Sequence, residues 1–285
     1  MPPVYAVFHV LASVICFFAV LRAPARPKWT AGIALSTFAF VAVGFTIERR
    51  SDWAWSVLAW SISDLVYLTN FALEGSAVLL ALLWKAAPDK SGRVRAGALG
   101  VPLAAAALSS YAWYFEPLPP GITGQSDATG MCRQSSDDSC SAASAVMLLR
   151  HYGIAATEAE MARLCLTRAG KGTTPLGLFH GLAVKARERS LRPTLIVVGR
   201  PDRLRELKGP VIIGVGLRAG APAEVAERME GYGWSYTARH SVLVESAEAD
   251  GKWVHVADPT NGRERWPTDD LRYLWDGTAL GLGAK

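Results

Sequence analysis

The pattern of apolar and polar positions changes midway along the chain. Up to about Phe115, apolar residues dominate four stretches: about Val4 to Leu21, Trp29 to Ile47, Val66 to Trp84 and Ala96 to Phe115. Each is near the length that crosses a hydrocarbon core of about 30 Å, so residues 1–120 are expected to form a four-helix transmembrane region. The first run has no basic leader before it, which argues against a cleaved signal peptide. Trp53, Trp55 and Trp60 precede the third run and suit a membrane interface. Asp64, Asn70 and Glu74 lie in or beside that run and receive no assigned role.

From Gly121 the composition is that of a globular domain, residues 121–285. Ala142, Ala145, Val146, Leu148 and Leu149 recur at helical spacing behind Cys140, and Gly153 ends that helix. Thr157 with Glu160 three residues on is a capping box, opening a second helix that runs to about Thr167. The turn-rich stretch Gly170 to Pro175 leads into a third, Leu176 to Arg189. Beyond it the period shortens to that of strands: Thr194 to Val198, Val211 to Leu217, Ser241 to Glu245, Trp253 to Ala257 and a short run near Arg263 to Trp266. A helical pattern near Pro201 to Leu207 intervenes. Helices followed by strands predict an α+β fold, with helices packed on a mainly antiparallel sheet.

Charge refines the picture of the first half. The formal net charge is +5, and the amino-terminal part holds nine Lys/Arg against six Asp/Glu. No basic stripe points to a nucleic acid partner. The first loop carries Arg22, Arg26 and Lys28, and the third carries Lys85, Lys90, Arg93 and Arg95; the second has only Arg49 and Arg50, beside Glu48 and Asp52. The positive-inside tendency then puts the first and third loops in the cytoplasm. Both chain ends face outward, and the globular domain is expected to be extracytoplasmic on a multi-pass plasma-membrane protein. Cys132, Cys140 and Cys165 allow one disulfide and one free thiol there, a Cys132–Cys165 bridge among the possibilities. No CxxC pair points to a zinc ribbon or a thiol oxidoreductase, and no metal or cofactor is expected.

Cys140 stands at the mouth of its helix, where backbone N–H groups favour a thiolate. A thiolate nucleophile works with an imidazole held in one tautomer by a third group. Of the five histidines, His240 begins the strand His-Ser-Val-Leu-Val-Glu245, and Asp258 follows the strand Trp253 to Ala257. If those strands pair as a hairpin through the turn around Ala249 to Gly251, the start of one lies beside the end of the other, bringing Asp258 to His240. Gln134, six residues before Cys140, is placed to donate to an oxyanion together with the Cys140 backbone N–H. His151, His180 and His255 read as surface or packing residues. Trp234 and Tyr236 either wall a substrate groove or pack.

The ordered motifs Gln-x5-Cys-x-Ala-Ala ending His-Tyr-Gly, then Gly-Thr-Thr-Pro-Leu-Gly-Leu, His-Ser-Val-Leu-Val and Ala-Asp-Pro-Thr-Asn-Gly cover about Gln125 to Leu274. Together they resemble the bacteriocin-processing cysteine peptidase family numbered thirty-nine, papain-like enzymes known best for removing double-glycine leader peptides in peptide-exporting ABC transporters. The resemblance implies a papain-like peptidase domain with Gln134 as oxyanion donor, Cys140 as nucleophile, His240 as general base and acid, and Asp258 as orienting residue. This chain has Ser139-Cys140-Ser141 where the family often has Asp-Cys-Gly. It also carries no Walker A motif, and its membrane segments come first, so cleavage coupled to export does not carry over.

The expected function is therefore a membrane-anchored cysteine peptidase acting on a peptide or protein substrate, a leader or propeptide, with export machinery a possible partner. Two rivals use the same residues or the same fold: a thiol acyltransferase, and a peptide-binding module without turnover.

Overall fold

A computed structural model describes residues 3–23, 37, 71–87, 89–112, 116–207, 209–236, 239–275 and 277–284. The chain divides into two compact units, Met1–Glu116 and Pro117–Lys285.

The described part of the first unit is helical: α1 (Pro3–Arg22), α2 (Ala72–Ala86) and α3 (Lys90–Ala112). Val20 of α1 packs with Val78, Ala81 and Leu82 of α2. Lys85 reaches the end of α1, where its ammonium donates to the carbonyls of Val20 (3.1 Å), Leu21 (3.4 Å) and Ala23, oxygens with no partner inside the helix. Much of the rest of α1 is outward-facing apolar surface, including Val7, Leu11, Ile15 and Phe18. Inside, His9 Nδ1 lies 2.6 Å from Glu74 Oε1, with both residues buried.

Among the described residues, one helix, Val4–Arg22, is long and apolar enough to cross a membrane by length and composition. The second expected span lies outside the described residues, as do Trp53, Trp55, Trp60, Asp64 and Asn70. The third expected span is described only from Phe71 onward, and the fourth is described only up to Ala112, as part of α3, whose first turns carry Lys90, Arg93 and Arg95 and whose interior holds Pro102.

The second unit mixes helices with an antiparallel sheet. Three helices come first, α4 (Cys140–His151), α5 (Glu158–Leu164) and α6 (Pro175–Ala186). The Thr157 side chain accepts from the Glu160 N–H at the start of α5, and the Thr174 side chain accepts from Gly177 at the start of α6. Gly177 and Gly181 lie four apart on α6, where a Cβ would come within 2.2 Å of the Cys165 carbonyl oxygen and 2.3 Å of its sulfur. Their bareness lets α6 close on the end of α5. The sulfur of Cys165 is thereby packed against α6, and both Cys132 and Cys165 are buried free thiols. The disulfide that the count of cysteines allowed is not formed.

Six strands follow: β1 (Leu191–Val197), β2 (Val211–Val215), β3 (His240–Ala247), β4 (Trp253–Asp258), β5 (Gly262–Pro267) and β6 (Thr278–Ala284). They form one sheet in the order β1-β6-β2-β3-β4-β5, every pair antiparallel. Val242, Val244, Val254 and Val256 cluster with Ile213, Val215, Met229, Leu271 and Leu274. Met229 belongs to α7 (Ala223–Gly231), while Leu271 and Leu274 belong to α8 (Thr268–Leu274), two helices the sequence reading did not assign. Helix α4 contacts β3 and β2, and its residues from Cys140 to Leu149 are all buried. That complete burial is why the amphipathic pattern of α4 is broken by small residues: alanines and serines let its face lie close to the sheet.

Candidate active site

The site is assembled by the hairpin β3–β4 and the start of α4. The turn closes through Gly251, with φ of +71°, whose N–H donates to the Glu248 carbonyl at 2.9 Å. Leu243 pairs with Ala257 and Val244 with Val256, so the first residues of β3 run beside the last residue of β4. His240 Nε2 lies 2.9 Å from Asp258 Oδ1. The same carboxylate oxygen accepts from the N–H groups of Thr260 (2.7 Å) and Asn261 (3.3 Å), the turn that Asp-Pro-Thr-Asn-Gly forms around its own side chain. With Nε2 on the carboxylate, Nδ1 is the ring nitrogen left for a partner on the other side. Cys140 is the other group that acts on His240, through a hydrogen bond and charge.

The three groups perturb one another in a consistent direction. Burial works to raise the Cys140 thiol, but the bond and charge of His240, the Ser241 N–H and the Ser141 hydroxyl outweigh it and hold the thiol below its ordinary value. Burial works to lower the His240 imidazole, yet Asp258 and Cys140 raise it to about 9. Asp258 is opposed by burial and still held below the usual carboxylate range by His240 and the two turn N–H groups. The directions favour the thiolate at Cys140, the imidazolium at His240 and the carboxylate at Asp258. The other two thiols of this unit go the opposite way: burial, with the charges of Glu158 and Asp127, pushes Cys132 up to about 12, and burial alone raises Cys165.

Gln134 lies on the loop before α4, its backbone N–H donating to the Pro259 carbonyl at 2.9 Å. Arg133 donates to the carbonyls of Thr260 (2.7 Å) and Asn261 (3.3 Å), so this loop is tied to the turn that holds Asp258. The Gln134 side-chain amide donates to the Ser136 carbonyl at 3.1 Å, and its Oε1 is buried with no hydrogen-bond partner among the described residues. All four residues singled out in the sequence thus lie on elements that meet at one end of the sheet.

Three serines at this junction were not singled out. Ser141 Oγ lies 2.7 Å from Ser241 Oγ, and Ser144 Oγ donates to the Ser241 carbonyl at 2.9 Å. They fasten the first turn of α4 to the start of β3, and so the sulfur to the imidazole. The signal was present: two serines three apart on an otherwise alanine-rich helix start, and a third beside His240. The Trp234 ring lies 6.3 Å from the His240 ring and edge-on to Trp266 at 5.6 Å. Trp234 and Trp266 line a cavity of about 330 Å³ together with Tyr232, Asn261, Glu264 and Asp270. Tyr236 is half exposed and does not line it. His151 and His255 are on the surface, and His180 is buried in α6.

No protein-family model matches the chain, and no curated protein matches it. Similarity is found to solved structures. The peptidase domain of ComA from Streptococcus, a bi-functional ABC transporter involved in quorum sensing, is 19% identical at a TM-score of 0.40, over 54% of this chain and 96% of that one. A double-glycine motif protease from an AMS/PCAT transporter, in complex with the leader peptide, is 16% identical at 0.38, over 60% of this chain and 99% of that one. The N-terminal peptidase C39-like domain of the toxin secretion ATP-binding protein from Vibrio parahaemolyticus is 14% identical at 0.34, over 53% and 100%.

Proposed function

We propose that this chain is a membrane-anchored cysteine peptidase that hydrolyses a peptide bond through an acyl-enzyme on Cys140. One observation carries the reading: an imidazole whose Nε2 sits 2.9 Å from a buried carboxylate, beside a buried thiol that it holds below its ordinary value. In the proposed reaction the Cys140 thiolate attacks the scissile carbonyl, and the Cys140 N–H and the Gln134 amide donate to the oxyanion that develops. The tetrahedral species collapses as His240 gives its proton to the leaving amine, leaving a thioester. Water gives a proton to the now neutral imidazole as it attacks that thioester, and collapse of the second tetrahedral species releases the acid product and frees the thiolate beside the restored imidazolium. Asp258 keeps the ring facing the sulfur throughout.

The papain-like reading of residues 121–285 and a four-span anchor over residues 1–120 belong to the same proposal. The outward-facing apolar residues of α1 support a lipid-facing surface for that helix. The excess of Lys and Arg in the first and third loops supports an extracytoplasmic peptidase domain. The ordered motifs support a leader or propeptide as substrate, with export machinery as a partner. Incubating the detergent-solubilised chain with a peptide library and a competing amine tests the chemistry: cleaved products that vanish in Cys140→Ala support hydrolysis, and amine adducts alone would point to acyl transfer. A topology reporter fused after Lys285 tests the orientation, and a cytoplasmic signal would refute it.

A further inference from the structure

Glu158 is the first residue of α5 and is fully buried, with 0% of its surface exposed. The chemistry above makes no use of it. Nor does α5 need it as a cap, since Thr157 already accepts from Glu160 N–H. Its carboxylate is instead divided between two segments of the loop that carries Gln134. Oε1 accepts from the Ser135 N–H at 2.9 Å; Oε2 accepts from the Gly124 N–H at 2.8 Å and from the Ser135 hydroxyl. In return the Glu158 N–H donates to the Gly124 carbonyl at 3.0 Å. A Cβ on residue 124 would lie 2.4 Å from Oε2, so the loop passes against the carboxylate as closely as a glycine allows.

A buried carboxylate is costly unless hydrogen bonds compensate it, and here three donors all come from that one loop. Gln134 is consequently held on both sides. Its own N–H is fixed to Pro259, in the turn of Asp258, and the next residue is fixed to Glu158 by both backbone and side chain. We propose that Glu158 is a positioning residue that sets the Gln134 amide for the developing oxyanion. This rests on the peptidase reading. It concerns only the oxyanion side of the site, because Glu158 bonds neither Cys140 nor His240 in the hydrogen bonds it makes.

The test compares the full chain with Glu158→Ala, Glu158→Gln, Gln134→Ala and the double variant Gln134→Ala/Glu158→Ala. Four quantities are read: kcat and KM for peptide hydrolysis, inhibition by a peptide aldehyde, and the rate of alkylation of Cys140 by iodoacetamide. The aldehyde forms a hemithioacetal whose oxygen occupies the oxyanion position; iodoacetamide forms no oxyanion. Misplacing a catalytic group by about 1 Å can cost about 10²-fold in rate, so Glu158→Ala is expected to lose up to about 10²-fold in kcat and a similar factor in aldehyde affinity. KM and the alkylation rate are expected to stay unchanged. Glu158→Gln, which keeps one acceptor oxygen, recovers part of the loss. The double variant is expected to be no worse than Gln134→Ala alone, because Glu158 acts through that amide. Losses that add to those of Gln134→Ala, or alkylation that falls in step with hydrolysis in both Glu158 variants, would overturn the role. A wild-type chain that neither hydrolyses peptides nor alkylates at Cys140 would instead overturn the peptidase reading, and this role with it.

Discussion

Replacing His240 with alanine separates the electrostatic account of Cys140 from mere burial. In the wild-type site burial opposes ionisation of the sulfur, and the first influence overcoming it is the hydrogen bond and charge of His240, with the Ser241 N–H and the Ser141 hydroxyl adding less. His240→Ala removes the dominant influence and leaves the burial. An ordinary thiol is only a few per cent ionised at pH 7, and a buried one less, so alkylation of Cys140 by iodoacetamide at pH 7 should fall by roughly tenfold as the sulfur returns to that range. The inflection of rate against pH should move upward, since burial then acts on the sulfur without His240 to oppose it. Hydrolysis by the wild-type chain adds a second check. The imidazole must be protonated to serve the leaving amine, and its pKa is raised to about 9, so hydrolysis declines as pH rises through about 9. Alkylation shows no such alkaline limb, since the thiolate persists. The assay is stopped-flow or mass-spectrometric alkylation across pH 5 to 10 beside a fluorogenic peptide assay over the same range (~5 to ~10). An unchanged alkylation profile in His240→Ala, or a hydrolysis limb near the ordinary histidine value instead, would refute the reasoning.

Asp258→Asn keeps an oxygen facing His240 Nε2 but loses the charge, whereas Asp258→Ala loses both. Hydrolysis should therefore fall in the order wild type, Asn, Ala, and the alkaline limb should move to lower pH in both variants, as pH profiles of kcat/KM would report. Leu271→Ala empties a fully buried position between α8 and the sheet and is expected to destabilise the second unit by about 2 to 5 kcal/mol, measured by denaturant unfolding followed through tryptophan fluorescence.

The hairpin was legible because its signals are local. Period-two strands flank a Gly251 turn, and antiparallel pairing then dictates that His240 and Asp258 meet, whatever the rest of the sheet does. The same holds for the capped start of α5. Elements defined by tertiary packing were not legible. Strand β6 reads Thr-Ala-Leu-Gly-Leu-Gly-Ala, with glycines that weaken any strand signal, and it exists because β1 and β2 bond it on either side. Helix α7 buries only Ala226 and Met229, and α8 is only seven residues long; both lie against the strand-rich half, where a period-two reading was already in use. The acidic first turn of α8, Asp269 and Asp270 after Pro267, was its available start signal. Around the sulfur, Ser141, Ser241 and Glu158 escaped because each acts through partners distant in the chain, 100 residues away for Ser141 and Ser241 and 23 for Glu158 and Ser135.

The most direct measurement of the central claim is acid quenching of the full chain during turnover of an activated peptide ester, followed by intact mass and peptide mapping. A covalent acyl group on the peptide containing Cys140, absent from Cys140→Ala and accumulating when deacylation is slowed, is the predicted result. An adduct on Cys132 or Cys165, or product formation with no adduct and undiminished in Cys140→Ala, would contradict it.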